Sequence, residues 1–405
     1  IPKNKSRVEC MTELFTALFL SRIQFAFVVS FHIIFPAFTI GLASWLLVLE
    51  IFWLKTKHPV YKETYQHWVK IFAVTFGMGV VSGVVMSYQF GTNWAIFSKQ
   101  AGNVIGPILA FEVLTAFFLE ASFLGIMLFG WNKVGPKLHF LSTALVAIGT
   151  VVSAFWILSV NSWMQTPSGF IVKPDGLLYP TDWISVIFNP SFLYRFVHMI
   201  FAAFLCTAFT VGGVAAWYLL KGKYKKHAQI MLTMSILMAS VMPICQLIVG
   251  HQHGENTLKF QPAKIAAIEG IWETEKGAAL HLFGVPDDKE EVTKYSISIP
   301  KGASYVLKGS PDAEIKGLKD WPKNERPPSL VPFWAFRIMV GIGMLMILTG
   351  VMGAVLYYTN RLFTAKWFHK WCLCMAPSGF IAVLAGWITT EVGRQPYVIY
   401  NVLKT

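Results

Sequence analysis

"FEVLTAFFLEASF", residues 111–123, sets Glu112 and Glu120 into a run that otherwise reads as lipid-soluble helix. A charged side chain at the centre of a bilayer costs roughly 2.5–3.5 kcal/mol on the insertion scale, and intramembrane carboxylates are functional by default. The apolar character around the two glutamates extends over residues 105–130. It recurs at roughly 23–50, 70–90, 139–162, 192–220, 229–250, 333–358 and 371–390. Each run is long enough to cross about 30 Å of hydrocarbon as a helix. The composition agrees: over 405 residues, 55% hydrophobic and 14% charged is outside the range of soluble domains. The expected fold is an all-α integral membrane protein with eight transmembrane helices. Six lie in 1–250 and two in 331–405, with a long extracytoplasmic loop, 251–330, between them.

Loop charge orients the chain. Residues 52–70, 131–138, 221–228 and 359–370 hold thirteen Lys and Arg, whereas the alternate loops 91–104 and 164–191 hold only Lys99 and Lys173. The positive-inside rule puts the first set in the cytoplasm and the segment 251–330 outside; Lys3, Lys5 and Arg7 run against that bias. The net charge of +13 resides beside helix ends, where it serves topology and anionic lipid, so nucleic acid is not an expected partner. Five cysteines, Cys10, Cys206, Cys245, Cys372 and Cys374, form no CxxC pair and read as packing residues. The charged start and the short apolar run before Ser21 predict that the first span is its own targeting signal.

The segment 251–330 differs in kind, with eleven Lys/Arg and twelve Asp/Glu. At about 80 residues it is too long for a simple connector. "PAKIAAIEGIWET", 262–274, reads as an amphipathic helix near the membrane surface, and "KYSISIP", 294–300, as a short strand.

Of ten histidines only His32 and His198 fall well inside apolar runs. The topology places His32 about 15 Å and His198 about 9 Å below the outer surface, with Met339 near the depth of His198 and Glu391 at the outer end of the last span. Glu112 and Glu120 share one helix, about 80° and about 12 Å apart, and suggest a proton relay. Buried His and Met are the ligand types of low-spin haem iron, and Arg337, two residues before Met339, can meet a haem propionate. A lone intramembrane His more often bonds a neighbouring helix and Met is an ordinary gap-filler, and a transporter reading accounts for the glutamates equally well.

"LSRIQFAF" (20–27), "YQFGTNW" (88–94), "FEVLTAFFLEASFLGIMLFGW" (111–131), "NSWMQTP" (161–167), "FVHM" (196–199), "KIAAIEGIWET" (264–274), "AFRIMVG" (335–341) and "GWITTEVGRQPY" (386–397) follow one another in this order. The chain thereby resembles subunit I of the cytochrome bd-type quinol oxidases over nearly its whole length after residue 20. The resemblance implies a multi-pass protein of the bacterial inner membrane that oxidises quinol at the outer face and reduces dioxygen to water, contributing to proton motive force.

It also implies site residues. His198 and Met339 would be the axial ligands of a low-spin haem b, with Arg337 stabilising that site. His32 and Glu391 would each hold one iron of a second pair, a high-spin haem b and either haem d or a further haem b. Trp387 would pack against that pair, and Arg394 would hold Glu391 or a propionate. Glu112 and Glu120 would deliver protons, Glu112 beside the haem pair, while Lys264 and Glu269 would bind quinol. The implied partners are a second membrane subunit, a small single-helix subunit and the lipid bilayer.

Departures from the family pattern are the short loop, Ser87 before "YQFGTNW", "GHQHGE" at 250–255 and Tyr397 in "GRQPY". They resemble the cyanide-insensitive branch, some members of which carry haem b in place of haem d. The family usually has nine helices where this sequence carries eight. Two other classes remain at this stage: a b-type cytochrome that conducts electrons without oxygen chemistry, and a proton-coupled transporter.

Overall fold

The computed structural model describes residues 16–405. Cys10, Lys3, Lys5 and Arg7 lie outside the described residues. Within them, eight helices are long and apolar enough to cross a membrane. In chain order these spans are α1 (Ala17–Thr56), α2 (Pro59–Gln89), α3 (Ala95–Phe129) and α4 (Pro136–Gln165). After the short α5 (Trp183–Ile187) come α6 (Phe192–Lys221) and α7 (Lys225–Phe260). The remaining helices are α8 (Pro262–Glu269), α9 (Gly302–Lys308), α10 (Leu330–Tyr358), α11 (Lys366–Met375) and α12 (Ser378–Val392), the last two forming one broken span around Pro377.

Local chemistry sets the turns. Lys57, in the left-handed region at φ 56°, ends α1, and Pro59 opens α2 at its first turn with the His58 ring accepting from the Val60 N–H. A buried cluster joins α1, α2 and α6, with Leu42, Leu46, Trp68 and Phe72 all essentially inaccessible. Beside it, His139 Nδ1–H donates to Glu50 Oε1 at 2.6 Å, and the Tyr65 and Thr143 hydroxyls share a hydrogen bond of 2.8 Å. Glu50 is 0% and His139 1% exposed, so each is the other's only compensation in this region. Breaking such a pair from one side costs about 3–5 kcal/mol. Glu50→Ala is therefore expected to lower the thermal unfolding temperature of the purified protein sharply; an unchanged Tm would remove the pair from the stability account.

The loop carries a β-hairpin, β4 (Leu280–Asp287) with β5 (Val292–Ile299), as the "KYSISIP" reading anticipates. Short two-stranded pairings, β1 (Phe170–Val172) with β2 (Leu178–Pro180), β3 (Glu275–Lys276) with β6 (Glu314–Ile315) and β7 (Tyr397–Ile399) with β8 (Leu403–Lys404), complete the strands. Two expectations change. α7 runs to Phe260 rather than stopping near 250, because no proline falls between Gly250 and Phe260 to break the helix. The segment 262–274 is not an amphipathic surface helix: α8 ends at Glu269, and Ala263 through Glu269 are all buried, packed against α7 and α10. Gly270 terminates it at φ +69°, where an added Cβ would lie 2.9 Å from Thr293 and 3.1 Å from Phe333. The four cysteines among the described residues are free, as expected.

Candidate functional site

The two glutamates of α3 are brought onto one face by an irregularity that the sequence does not announce. Val113–Phe117 forms a turn of π-helix between them. One such turn absorbs a residue, so eight positions become about seven α-helical steps and the separation falls from about 80° to about 20°. Both then face α4. Ser153 Oγ donates to Glu112 Oε1 at 2.9 Å, and Glu120 lies against Gly149, four residues earlier, where a Cβ would come within 2.6 Å of its side chain. Glu120 is 6% exposed, so its carboxylate is enclosed by protein on this face.

His32, on α1, faces Ser82 of α2, with Nδ1 2.9 Å from Oγ. The Ser82 hydroxyl donates to the carbonyls of Met78 and Gly79 at 2.8 and 3.0 Å. With that hydrogen on either carbonyl, His32 Nδ1–H donates to Oγ and Nε2 keeps its lone pair. That is the tautomer an iron ligand needs. Gly83 gives the ring room, since a Cβ there would stand 3.3 Å from Cε1.

His198, on α6, has a buried Nδ1 with no hydrogen-bond partner among the described residues and faces Gly250 of α7, a Cβ at which would lie 3.3 Å from Cε1. The rings of His198 and His253 are 5.6 Å apart. Sequence reading missed His253 because it assigned "GHQHGE" to a loop; the spacing from Gly250 to His253 puts both on one face once the helix continues. Met339, on α10, sets its sulfur against Gly386 of α12, 2.8 Å from where a Cβ would be. α7 packs on both α6, which carries His198, and α10, which carries Met339.

Glu391 is the most elaborately held of the group. Asn161 Nδ2 and Gln165 Nε2, on α4, donate to its Oε1 at 3.0 and 3.3 Å, and Arg394 Nη2 donates to Oε2. Arg195 Nη1 reaches Asn161 Oδ1 at 3.4 Å. Asn161 and Gln165 have no role in the sequence reading, although two amides four residues apart in an apolar helix are a visible signal in "NSWMQTP". Trp387 is partly buried one turn before Glu391.

Lys264 and Glu269 do not form one pair. Five residues apart on α8, they point about 140° away from each other. Lys264 is buried, its stem against Gly393 and its Nζ donating to Gln165 Oε1 at 2.6 Å. Burial, with Arg195 and Arg394 nearby, pushes its ammonium well below the ordinary lysine range against the pull of Glu391. Glu269 instead meets Arg337 Nη2 at 3.4 Å, and its carboxyl is raised by burial against the opposing guanidinium. Arg337 itself spends its donors on the loop and on its own helix: Nε on the His281 carbonyl at 2.9 Å, Nη1 on the carbonyls of Ile268 and, within α10, Phe333 at 2.8 and 3.0 Å, and Nη2 on Glu269 and the His281 carbonyl. In this arrangement the guanidinium ties the loop to α10 and offers no free edge to a propionate.

Three cationic side chains, Arg195, Lys264 and Arg394, are therefore buried around one carboxylate, Glu391. Among the described residues Arg195 Nε and Arg394 Nε and Nη1 have no partner. Orphaned, buried guanidinium N–H groups are costly unless an anion meets them. Together with the bare Nε2 of His32 and the unpartnered Nδ1 of His198, they fit haem, which brings carboxylates to the cations and takes only axial ligands from protein. Among the described residues no three His, Cys, Asp or Glu side chains converge to hold a bare metal ion.

The profile described as "Cytochrome bd terminal oxidase subunit I" matches residues 20–405. "Cytochrome bd ubiquinol oxidase subunit 1" of Bacillus subtilis (strain 168) is 36% identical over 398 residues, covering 96% of this chain and 85% of the relative. "Cytochrome bd-II ubiquinol oxidase subunit 1" of Escherichia coli (strain K12) is 31% identical over 453 residues, covering 95% of this chain and 88% of the relative. Among solved structures, the bd oxidase from Geobacillus thermodenitrificans is similar with a TM-score of 0.88 at 32% identity, covering 96% of this chain and 89% of that one.

Proposed function

The chain belongs to the cytochrome bd terminal oxidase subunit I family, and from that premise we propose how its residues share the work of the enzyme. It is a multi-pass, haem-carrying subunit of a quinol:oxygen oxidoreductase of the bacterial inner membrane and works with a subunit II. An electron conduit without oxygen chemistry and a proton-coupled transporter are not favoured.

When bound, the haems supply one-electron steps between quinol and dioxygen. His198 and Met339 would hold a low-spin haem b, with Gly250 and Gly386 leaving room beside each ligand. His32 and Glu391 would hold a high-spin haem b and haem d or a further haem b. Trp387 would flank that pair, and Arg195 and Arg394 would meet the carboxylates of the bound groups. A small single-helix subunit completes the proposed assembly. The observation that carries this reading is the set of buried guanidinium N–H groups around Glu391, on Arg195 and Arg394, that find no partner among the described residues.

On the outer side, Glu269 is the proposed acceptor for a quinol proton, placed by Arg337, while Lys264 acts from the other face of α8. On the inner side, Glu120 and Glu112 pass protons along α3 toward the oxygen site, with Ser153 orienting Glu112. Proton release outside and uptake inside separates charge, at about 2.3 kcal/mol per charge per 100 mV.

The raised carboxyl of Glu269 gives the test. A base works only when ionised, so quinol-driven oxygen uptake rises with pH as Glu269 loses its proton, and burial moves that limb above the ordinary carboxylate range. Glu269→Gln is expected to lower kcat/KM for quinol by about 10²–10⁴ and to abolish the acidic limb. A limb that persists unchanged in Glu269→Gln would assign the proton to another group.

A further inference from the structure

The structure joins the quinol loop to the Glu391 carboxylate through a single amide. Gln165, the last residue of α4 and 0% exposed, accepts from Lys264 Nζ at 2.6 Å and donates from Nε2 to Glu391 Oε1 at 3.3 Å. Gln261 Nε2, one residue before α8, donates to its backbone carbonyl at 2.9 Å and to its Oε1 at 3.2 Å. The amide has one workable orientation. Flipping it would set its N–H groups against the ammonium and its oxygen against the carboxylate. Among the described residues this is the one hydrogen bond of Lys264 Nζ, and glycine at position 393 leaves room for its stem: a Cβ there would lie 3.0 Å from Lys264 Cγ.

We propose that Gln165 is a positioning residue that couples Lys264 on the quinol loop to the Glu391 carboxylate, so that the loop sets the electron-donating strength of that carboxylate. The proposal rests on the reading of Glu391 as an iron ligand and of the loop as the quinol site. Its physical content is simple. A hydrogen bond donated to an anionic ligand, and a cation behind the donor, both draw electron density from the ligand and favour the reduced iron. Removing either favours the oxidised iron and lowers the midpoint potential. Because Lys264 reaches Glu391 through Gln165, the two effects are not independent. Asn161 holds the same oxygen at 3.0 Å, so Glu391 stays in place when Gln165 is changed.

The test is an optical redox titration of the purified holo-complex carrying Lys264→Met, Gln165→Leu or both. Each single variant is expected to lower the midpoint of the haem whose band is lost in Glu391→Ala, while leaving the His198-dependent band unmoved. In the Gln165→Leu background, Lys264→Met is expected to produce less than half of its shift in the wild type. Additive shifts would overturn the proposal. If Gln165→Leu fails to retain haem, Gln165→Glu takes its place. There Lys264→Met releases a carboxylate beside Glu391, so its shift exceeds that in the wild type, and an equal shift overturns the proposal. A wild-type complex with no Glu391-dependent band would overturn the underlying reading, and the inference with it, before any Gln165 variant is measured.

Discussion

His198→Ala is expected to yield folded protein that lacks the low-spin haem b band and loses quinol-driven oxygen uptake, while the Glu391-dependent band remains. The reason lies in how differently the chain treats its buried histidines. His139 gives Nδ1–H to Glu50, and His369 Nε2–H donates to the Leu362 carbonyl at 2.8 Å; both rings are tied into the protein. His198 has a buried Nδ1 with no partner among the described residues and a glycine opposite the ring. A ring kept dry, uncrowded and unbonded is suited to a ligand that the chain does not itself supply. Removing it deletes no hydrogen bond among the described residues, so the fold is expected to survive while the proposed iron ligand is lost. Reduced-minus-oxidised spectra decide the matter: retention of the low-spin band in His198→Ala would transfer the role to another residue, with His253 the nearest imidazole.

The second large effect is expected at Glu120. Glu120→Gln keeps the size of the side chain against Gly149 but cannot carry a proton. Oxygen reduction is expected to slow by about 10² or more, with haem content and the KM for quinol unchanged. Glu112→Gln is expected to act similarly, because the π turn sets both carboxylates on the face toward α4. Flash or stopped-flow oxidation of the fully reduced complex measures this step without quinol binding. An unslowed rate in Glu120→Gln would take proton delivery away from α3.

The spans were legible because hydrocarbon imposes one demand that sequence reports directly, about 20 consecutive apolar residues for each helix. The ligand candidates were legible for the complementary reason: a His or Glu surviving in such a run stands out against its neighbours. What sequence did not give was how side chains meet across elements. α7 continues to Phe260 through polar residues, because helix formation depends on the absence of a breaker as well as on hydropathy, and His253 was misplaced as a result. The π turn in α3 has no residue signature in "VLTAF", yet it changes the angle between the two glutamates. Lys264 and Glu269 match a familiar pair in the sequence, but their spacing on a helix turns them to different partners, Gln165 and Arg337. Asn161 and Gln165 were overlooked because amides are common and uncharged. Their importance appears only where they converge on Glu391.

The central claim, that this chain is the haem-bearing subunit of an oxygen-reducing quinol oxidase, is tested most directly by haem extraction combined with reduced-minus-oxidised spectra on the wild-type chain purified with its subunit II. The account requires a low-spin haem b together with a high-spin pair, and the extracted porphyrins identify haem d or a further haem b in that pair. A well-folded complex with no haem, or with the low-spin haem alone, would contradict it.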